Sequence, residues 1–142
     1  MKIMALDVGD KTIGVAISDE LLMIAHGHST IERVGVKKDT GKILELVKEH
    51  ECLEVVVGLP LKLDGSDSIQ TEKVRDFEEA LSNKLRSNAM NNVQVVFQDE
   101  RFTTSMAERV LIEADVSRKN RKAVIDKQAA VIILQSYLDM RR

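Results

Sequence analysis

Short apolar runs separated by turn-forming residues occupy the first part of the chain and predict β-strands. The run Ile3–Asp7 is apolar up to its terminal acid, and the next three residues, Val8-Gly9-Asp10, are a turn signal. Ile13–Ile17 then resumes the apolar pattern, so the two runs predict an antiparallel hairpin. A third strand, from about His26 to Glu32, is expected to continue this meander.

Later in the chain, apolar runs alternate with segments of helical spacing. Strands are predicted at Leu53–Gly58 and Val93–Gln98. A helix between the third strand and Leu53–Gly58 is expected to be capped by Asp39 and to end near Glu49. The other predicted helices are one with an Asp67/Gln70 capping box, one beginning at Thr103 or Thr104, and a final one from about Val124 to Met140.

This order of elements predicts an α/β fold. We expect a mixed five-stranded sheet, in which a three-strand antiparallel meander is followed by parallel strands, with helices on both faces. A simple doubly wound sheet would need a helix after the first strand, where the sequence has turn formers instead. No linker or internal repeat interrupts the pattern, so residues 1–142 are predicted to form a single domain.

Composition narrows the protein class. The chain has 142 residues, 44% of them hydrophobic, and no apolar run long enough for a transmembrane helix. The acid Asp7 comes too early for a signal peptide, and the single cysteine, Cys52, excludes a disulfide framework or a cysteine-based zinc cluster. We therefore expect a cytoplasmic protein. The net charge of −2 disfavours continuous coating of nucleic acid but leaves room for a local basic patch.

Acidic residues stand where predicted elements begin or end. Asp7 closes the first strand, the pair Asp99-Glu100 follows the last strand, and Asp126 extends the apolar stripe of the final helix near its start. Taken singly, each has a structural explanation: a turn, a helix-dipole contact or a salt bridge. Together they are expected to meet at one edge of the sheet, because ligands gather beyond the carboxyl ends of strands.

Clustered carboxylates repel one another, and a hard divalent cation relieves the repulsion. Mg²⁺ prefers carboxylate and water ligands, and two such ions can activate water for in-line phosphoryl displacement. The acids therefore predict nuclease chemistry. Basic residues near them can hold a phosphate backbone without reading its sequence, although such runs are often only solvated loops. These residues are Lys11, Arg101, Arg118, Lys119, Arg121 and Lys122.

Four ordered motifs resemble those of the YqgF (RuvX) family, and together they span most of the chain. They are residues 4–19 (MALDVGDKTIGVAISD), residues 57–66 (VGLPLKLDGS), residues 99–104 (DERFTT), and the C-terminal pair 114–118 (ADVSR) and 125–138 (IDKQAAVIILQSYL). Two departures are visible. Thr12 stands where many relatives carry a basic residue, and Asp67 follows Gly65-Ser66 where another glycine is expected.

The resemblance implies an RNase H-like fold related to RuvC-type Holliday-junction resolvases. It also implies a cytoplasmic nuclease, dependent on Mg²⁺ or Mn²⁺, that matures the 5′ end of pre-16S rRNA. The implied metal site comprises Asp7, Asp99, Glu100 and Asp126, with Arg101 orienting substrate or an acid. Motif glycines near the cleft are Gly9, Gly14, Gly58 and Gly65. Successive strand residues point to opposite faces, so only one of Asp99 and Glu100 is expected to face Asp7.

Other functions fit parts of the same pattern. The nuclease chemistry would also serve a branched-DNA resolvase, which is expected to be a homodimer because a DNA junction has two-fold symmetry. A non-catalytic module that binds nucleic acid or ribosome precursor particles through the basic run is a second class. An actin-like ATPase is a third, disfavoured because such enzymes close two domains around a nucleotide. No membrane partner is expected.

Overall fold

The computed structural model describes residues 1–100 and 118–141, and along residues 118–127 it describes the helix backbone alone. Five strands form one sheet in the order β3-β2-β1-β4-β5. The meander β1–β3 is antiparallel, whereas β4 and β5 continue the sheet parallel to β1. The mixed five-stranded sheet predicted from the sequence is confirmed. The strands are β1 (Lys2–Val8), β2 (Thr12–Ser18), β3 (Ala25–Glu32), β4 (Cys52–Leu59) and β5 (Gln94–Asp99).

The described helices cover both faces of the sheet, as predicted. They are α1 (Val36–Glu49), α2 (Ile69–Ser87) and α3 (Arg118–Arg141). The side chains of α1 and α2 pack with Met4, Leu6 and Val8 on one face, which we call the α1/α2 face. On the opposite face, the α3 face, α3 packs against Ile3 and Ala5. Alternate residues of β1 thus serve two separate apolar layers, since successive strand residues point in opposite directions.

The first helix begins earlier than predicted. Its N-cap is Gly35, and Asp39 lies inside the first turn instead of capping it. The Asp39 side chain is fully buried and accepts hydrogen bonds from the Val34 amide (3.0 Å) and from Arg33 Nε (3.0 Å). The prediction was wrong because this carboxylate binds residues that precede the helix.

The capping box of α2 is displaced by one residue from the predicted one. Ser68 is the N-cap, its side chain accepts from the Thr71 amide, and the Thr71 hydroxyl accepts from the Ser68 amide. Asp67 instead pairs with Arg75 through two hydrogen bonds of 2.9 and 3.0 Å. Both pairs have the spacing of a capping box, and the sequence alone does not distinguish them.

Within the described residues the last helix runs from Arg118 to Arg141, so it includes the six residues before the predicted start at Val124. The intervening residues, Arg118–Ala123, are mostly good helix formers with no glycine or proline, so the helix continues through the basic run. The helix predicted from Thr103 or Thr104 lies outside the described residues. In the part of the chain that is described, no helix has the length and apolarity needed to cross a membrane.

The packing of α3 on the sheet can be tested by comparing a buried and an exposed residue of this helix. Leu134 is fully buried against the sheet, whereas Met140 is 72% exposed. We expect Leu134→Ala to lower the free energy of unfolding by about 2–5 kcal/mol, because it leaves a cavity in a packed layer. Met140→Ala is expected to change it by less than about 0.5 kcal/mol. Urea unfolding of both variants measures the difference, and equal effects would contradict the described orientation of α3.

Candidate active site at the carboxyl edge of the sheet

Asp7 lies near the carboxyl end of β1, on the α3 face. Ile3 and Ala5 belong to the apolar layer of that face, and Asp7 continues their alternation. Its cross-strand neighbour on β2 is Gly14. On the other side, Leu6 pairs with Val57, so the next step along the parallel strands brings Gly58 beside Asp7. Asp7 is therefore flanked on both neighbouring strands by residues without side chains.

Glu100 occupies the space that Gly58 leaves open. It follows β5 directly, and its amide donates to the carbonyl oxygen of Leu59 (3.2 Å). A Cβ atom built on Gly58 would overlap Oε2 of Glu100 and would lie 2.5 Å from Cδ1 of Ile133. The buried Glu100 carboxyl group therefore lies over the backbone of β4 only because residue 58 is glycine.

The structure separates the two members of the predicted acidic pair. Val96 belongs to the apolar layer of the α3 face, and by alternation Glu100 follows it to that face, where Asp7 also lies. Asp99, at the end of β5, is exposed. By strand alternation it is on the same face as Phe97, which packs in the layer of the α1/α2 face. Glu100 is thus the residue of the pair that shares a face with Asp7, as the expectation of a single facing acid required.

Burial raises the pKa of Glu100 from its ordinary value of 4.5 to about 8, and the negative charges of Asp7 and Asp99 add to this rise. Loss of hydration disfavours the ionised carboxylate, and nearby like charges disfavour it further. In the protein without a bound cation, Glu100 is therefore largely protonated at neutral pH. Strongly perturbed carboxyl groups of this kind are typical of functional sites.

Helix α3 forms the apolar wall of the site. Ile133 is fully buried beside Gly58 and Glu100, and Ala130 is buried one turn earlier. Asp126 lies on the α3 backbone one further turn before Ala130, at the ninth residue of the helix and not at its start as predicted. Its side chain is outside the described residues. The sequence predicted an apolar stripe on this helix but did not identify Ile133 as the wall of a site, because a stripe that packs in the core has the same pattern.

The predicted phosphate-binding residues are described only in part. Lys11 is exposed in the turn between β1 and β2, next to Asp10, which pairs with Lys73 at 3.2 Å. Arg101 lies outside the described residues. The basic run forms the first turns of α3, and its side chains are likewise outside them. Its members are Arg118, Lys119, Arg121 and Lys122.

The donor groups at this edge suit a hard cation. Asp7 and Glu100 supply carboxylate oxygens, which Mg²⁺ and Mn²⁺ prefer, and the described side chains around them include no competing thiol or imidazole. Among the residues whose side chains are described, no group of three His, Cys, Asp or Glu is arranged to hold a metal ion. The described part of the site therefore contributes two carboxyl groups, on one face of the sheet, as candidate cation ligands.

The histidines lie elsewhere. A cavity of about 420 Å³ at the opposite edge of the sheet is lined in part by Lys2, Ser18, His26, His28 and His50. The rings of His28 and His50 meet edge to face, with centroids 5.0 Å apart. This cavity is remote from Asp7, since Lys2 begins β1 and Ser18 ends β2. We place the candidate site by its chemistry, at the carboxyl edge.

Comparison with known proteins identifies the family. The family model for RuvX, described as Holliday junction resolvase, matches residues 1–140. The chain belongs to this family. A protein of Caldanaerobacter subterraneus subsp. tengcongensis named "Putative pre-16S rRNA nuclease" is 53% identical over 143 residues, covering 100% of this chain and 99% of that protein. A Clostridioides difficile protein of the same name is 50% identical over 140 residues, covering 99% and 95%.

The fold is also found in solved structures. Thermus thermophilus RuvC, in a complex with a Holliday junction substrate, superposes with a TM-score of 0.60 at 16% identity, covering 99% of this chain and 95% of RuvC. At this identity the likeness concerns the fold alone. It confirms the RNase H-like, RuvC-like fold that the sequence motifs implied for this RuvX-family chain.

Burial of Glu100 predicts a pH dependence of stability in the metal-free protein. Between pH 4.5 and about 8 the folded state holds a proton on Glu100 that the unfolded state has lost. The free energy of unfolding therefore falls as pH rises across this window, by at most about 1.4 kcal/mol per pH unit from this group. Glu100→Gln removes that contribution because the amide does not ionise. Urea unfolding in a chelating buffer measures it, with the exposed Glu79→Gln as control. A wild-type slope in Glu100→Gln would contradict the prediction.

The open space at Gly58 gives a second prediction. In Gly58→Ala the new methyl group takes the position of the Glu100 carboxyl group, which must move toward solvent. We expect the pKa of Glu100 to fall from about 8 toward its ordinary 4.5, because hydration is regained. A ¹³C NMR titration of the carboxyl group measures this.

The matched control is Gly41→Ala on α1. A Cβ there meets the flexible end of Lys84 at 3.3 Å, remote from the site. It should leave the titration of Glu100 unchanged. An unaltered titration in Gly58→Ala would show that the glycine does not create the space for the carboxyl group.

Proposed function

We propose that this protein is a metal-dependent nuclease that hydrolyses a phosphodiester bond in the 5′ region of pre-16S rRNA during ribosome biogenesis. The observation that carries the proposal is the pairing of Asp7 and Glu100 on one face of the sheet, at the carboxyl edge, with the pKa of Glu100 raised by burial and by its acidic neighbours. Such an arrangement is costly in the free protein and suits a bound cation.

Asp7 and Glu100 would hold Mg²⁺ or Mn²⁺, and Asp126 is the proposed third ligand. The backbone position of Asp126 on α3, two turns before Ile133, supports this role. Asp99 contributes negative charge at the edge. It is not the proposed metal ligand, because strand alternation places it on the face opposite Asp7. When bound, divalent cations of this kind lower the pKa of water and stabilise the oxygen that leaves phosphorus.

The reaction proposed is hydrolysis with water as the nucleophile. The water oxygen forms a bond to phosphorus, the bond between phosphorus and the 3′ oxygen breaks, and the leaving oxygen takes a proton. The products are a 5′-phosphate and a 3′-hydroxyl. Exclusion of solvent by Ile133 and by the buried residues of β2 and β4 beside Asp7 would strengthen the electrostatic contribution of the carboxylates.

Substrate binding is proposed for basic residues around this edge, which would contact phosphates without reading sequence. Lys11 lies in the exposed turn that follows Asp7. The run at the start of α3 lies four to eight residues before Asp126 along the helix, about one to two turns. The proposed substrate-binding residues are Lys11, Arg101, Arg118, Lys119, Arg121 and Lys122.

RNA is the proposed substrate because the relatives that match at about half identity over the full chain carry the rRNA nuclease name. The family description, Holliday junction resolvase, favours branched DNA as the second candidate. The chemistry is the same for both. A two-fold DNA junction would call for a homodimer, whereas trimming of precursor rRNA, free or within a ribosome precursor particle, requires no symmetry.

Cleavage of a precursor rRNA fragment with mapped ends tests the proposal. With Mn²⁺ or Mg²⁺, wild-type protein should generate one 5′ end, and Asp7→Asn should lower the rate by about 100-fold or more through loss of a cation ligand. Lys2→Gln, at the opposite edge of the sheet, should retain wild-type activity.

Two other outcomes would identify a different function. Cleavage of a four-way DNA junction with no cleavage of precursor rRNA would assign the protein to the resolvases. Salt-dependent RNA binding that survives chelation, with no cleavage and no effect of Asp7→Asn, would identify a non-catalytic binding module.

A further inference from the structure

The turn that follows Asp7 is held by side chains from outside the hairpin. We use "the Asp7 turn" for residues 8–12. Its internal hydrogen bond runs from the Gly9 amide to the Thr12 carbonyl oxygen at 2.9 Å. Two of its carbonyl oxygens accept from distant side chains. Arg33 Nη1 donates to Gly9 O at 2.9 Å, and Gln70 Nε2 donates to Val8 O at 3.2 Å.

Arg33 is itself fixed on several sides. Its Nε donates to the buried Asp39 carboxylate at 3.0 Å, its guanidinium carbon lies 5.2 Å from the centre of the Phe77 ring, and its amide donates to Lys11 O at 2.9 Å. The contacts with Asp39 and Phe77 join α1 and α2, and Nη1 remains directed at the turn. A planar guanidinium can make these contacts at once, which a lysine ammonium cannot reproduce with the same geometry.

The charges of this cluster persist over a wide pH range. Burial alone would raise the pKa of Asp39, but hydrogen bonds from the Val34 amide and from Arg33 outweigh it and hold the pKa below 3.8. Arg33 stays protonated at any ordinary pH. The pair is only slightly exposed, so solvent screens it less than a surface ion pair.

An unsupported glycine turn would be a poor support for a ligand. Gly9 is conformationally permissive, and Asp7 lies only two residues before it on a strand that ends at Val8. A ligating carboxylate needs its direction fixed by surrounding hydrogen bonds, and loss of such supporting contacts commonly weakens metal binding by about 10–100-fold.

We propose that Arg33 is a positioning residue for the Asp7 carboxylate: by clamping Gly9 O from the α1/α2 face, it fixes the end of β1 and thereby the direction of Asp7 on the α3 face. The inference rests on the proposed function, since it concerns Asp7 as a cation ligand. Gln70 assists by holding the neighbouring carbonyl of Val8. Neither residue touches substrate or cation in this role.

Arg33→Met keeps an unbranched aliphatic stem and removes the guanidinium with its donors. In the folded protein it should weaken Mn²⁺ binding, measured by calorimetry, by about tenfold. It should also speed hydrogen exchange of the Gly9 amide in the metal-free state. Arg33→Lys should recover part of the affinity, because an ammonium can still reach one of the two acceptors.

The chain provides a matched control in Arg75. Its guanidinium also lies over a phenylalanine ring, 5.5 Å from the centre of Phe97, and also pairs with an aspartate, Asp67, but its described contacts do not include the Asp7 turn. Arg75→Met should leave the Mn²⁺ affinity within about twofold of wild type and the exchange of the Gly9 amide unchanged. If Arg33→Met fails to fold, Gln70→Ala tests the other carbonyl contact and should weaken Mn²⁺ binding to a smaller extent.

The outcomes distinguish failure of the proposed function from failure of the positioning role of Arg33. If wild type and Asp7→Asn bind Mn²⁺ equally, the proposed function fails, and the inference fails with it. If Asp7→Asn abolishes binding while folded Arg33→Met or Gln70→Ala binds as wild type does, the inference alone is overturned. A variant that only loses stability, with unchanged affinity in the folded state, shows a merely structural role and also overturns it.

Discussion

Burial of one carboxyl group, Glu100, on the same face of the sheet as a second, Asp7, is the constraint around which this end of the molecule is built. Glu100 is buried against the backbone of β4, where its ionised form is disfavoured by lost hydration and by the charge of Asp7. The arrangement exists only because Gly58 leaves space over the backbone of β4, which the side chain of Glu100, the residue after β5, occupies. Sites that violate ordinary rules of packing and charge in this way commonly serve function at the expense of stability.

The two faces of the sheet carry different groups. The α3 face carries Asp7, Glu100 and the apolar wall around Ile133, so both carboxyl groups lie on the side where α3 packs. The α1/α2 face carries the larger apolar core and the Arg33–Asp39 pair, which reaches through to the carbonyl of Gly9. Contacts on the α1/α2 face therefore also fix residues of the α3 face in place, because β1 contributes alternate residues to both faces.

Family membership and fold answer different questions. The RuvX family model covers nearly the whole chain, whereas the likeness to RuvC is a likeness of architecture at 16% identity. In this chain three parallel strands, β1, β4 and β5, end at one edge of the sheet, which is where ligands gather in open α/β sheets. Fold alone does not determine which substrate a protein binds.

Local patterns in the sequence were sufficient for the strands, the hairpin, the mixed sheet and the position of Asp7 at a strand end, because alternation and turn signals depend on neighbouring residues. They failed where several residues competed for one role: Gly35 rather than Asp39 caps α1, Ser68 rather than Asp67 caps α2, and the basic run continues α3. Only the tertiary structure distinguished Glu100 from Asp99 and joined Arg33 to Gly9 across 24 positions. Those facts depend on strand register and on helices packed from elsewhere in the chain, and no short window of sequence contains them.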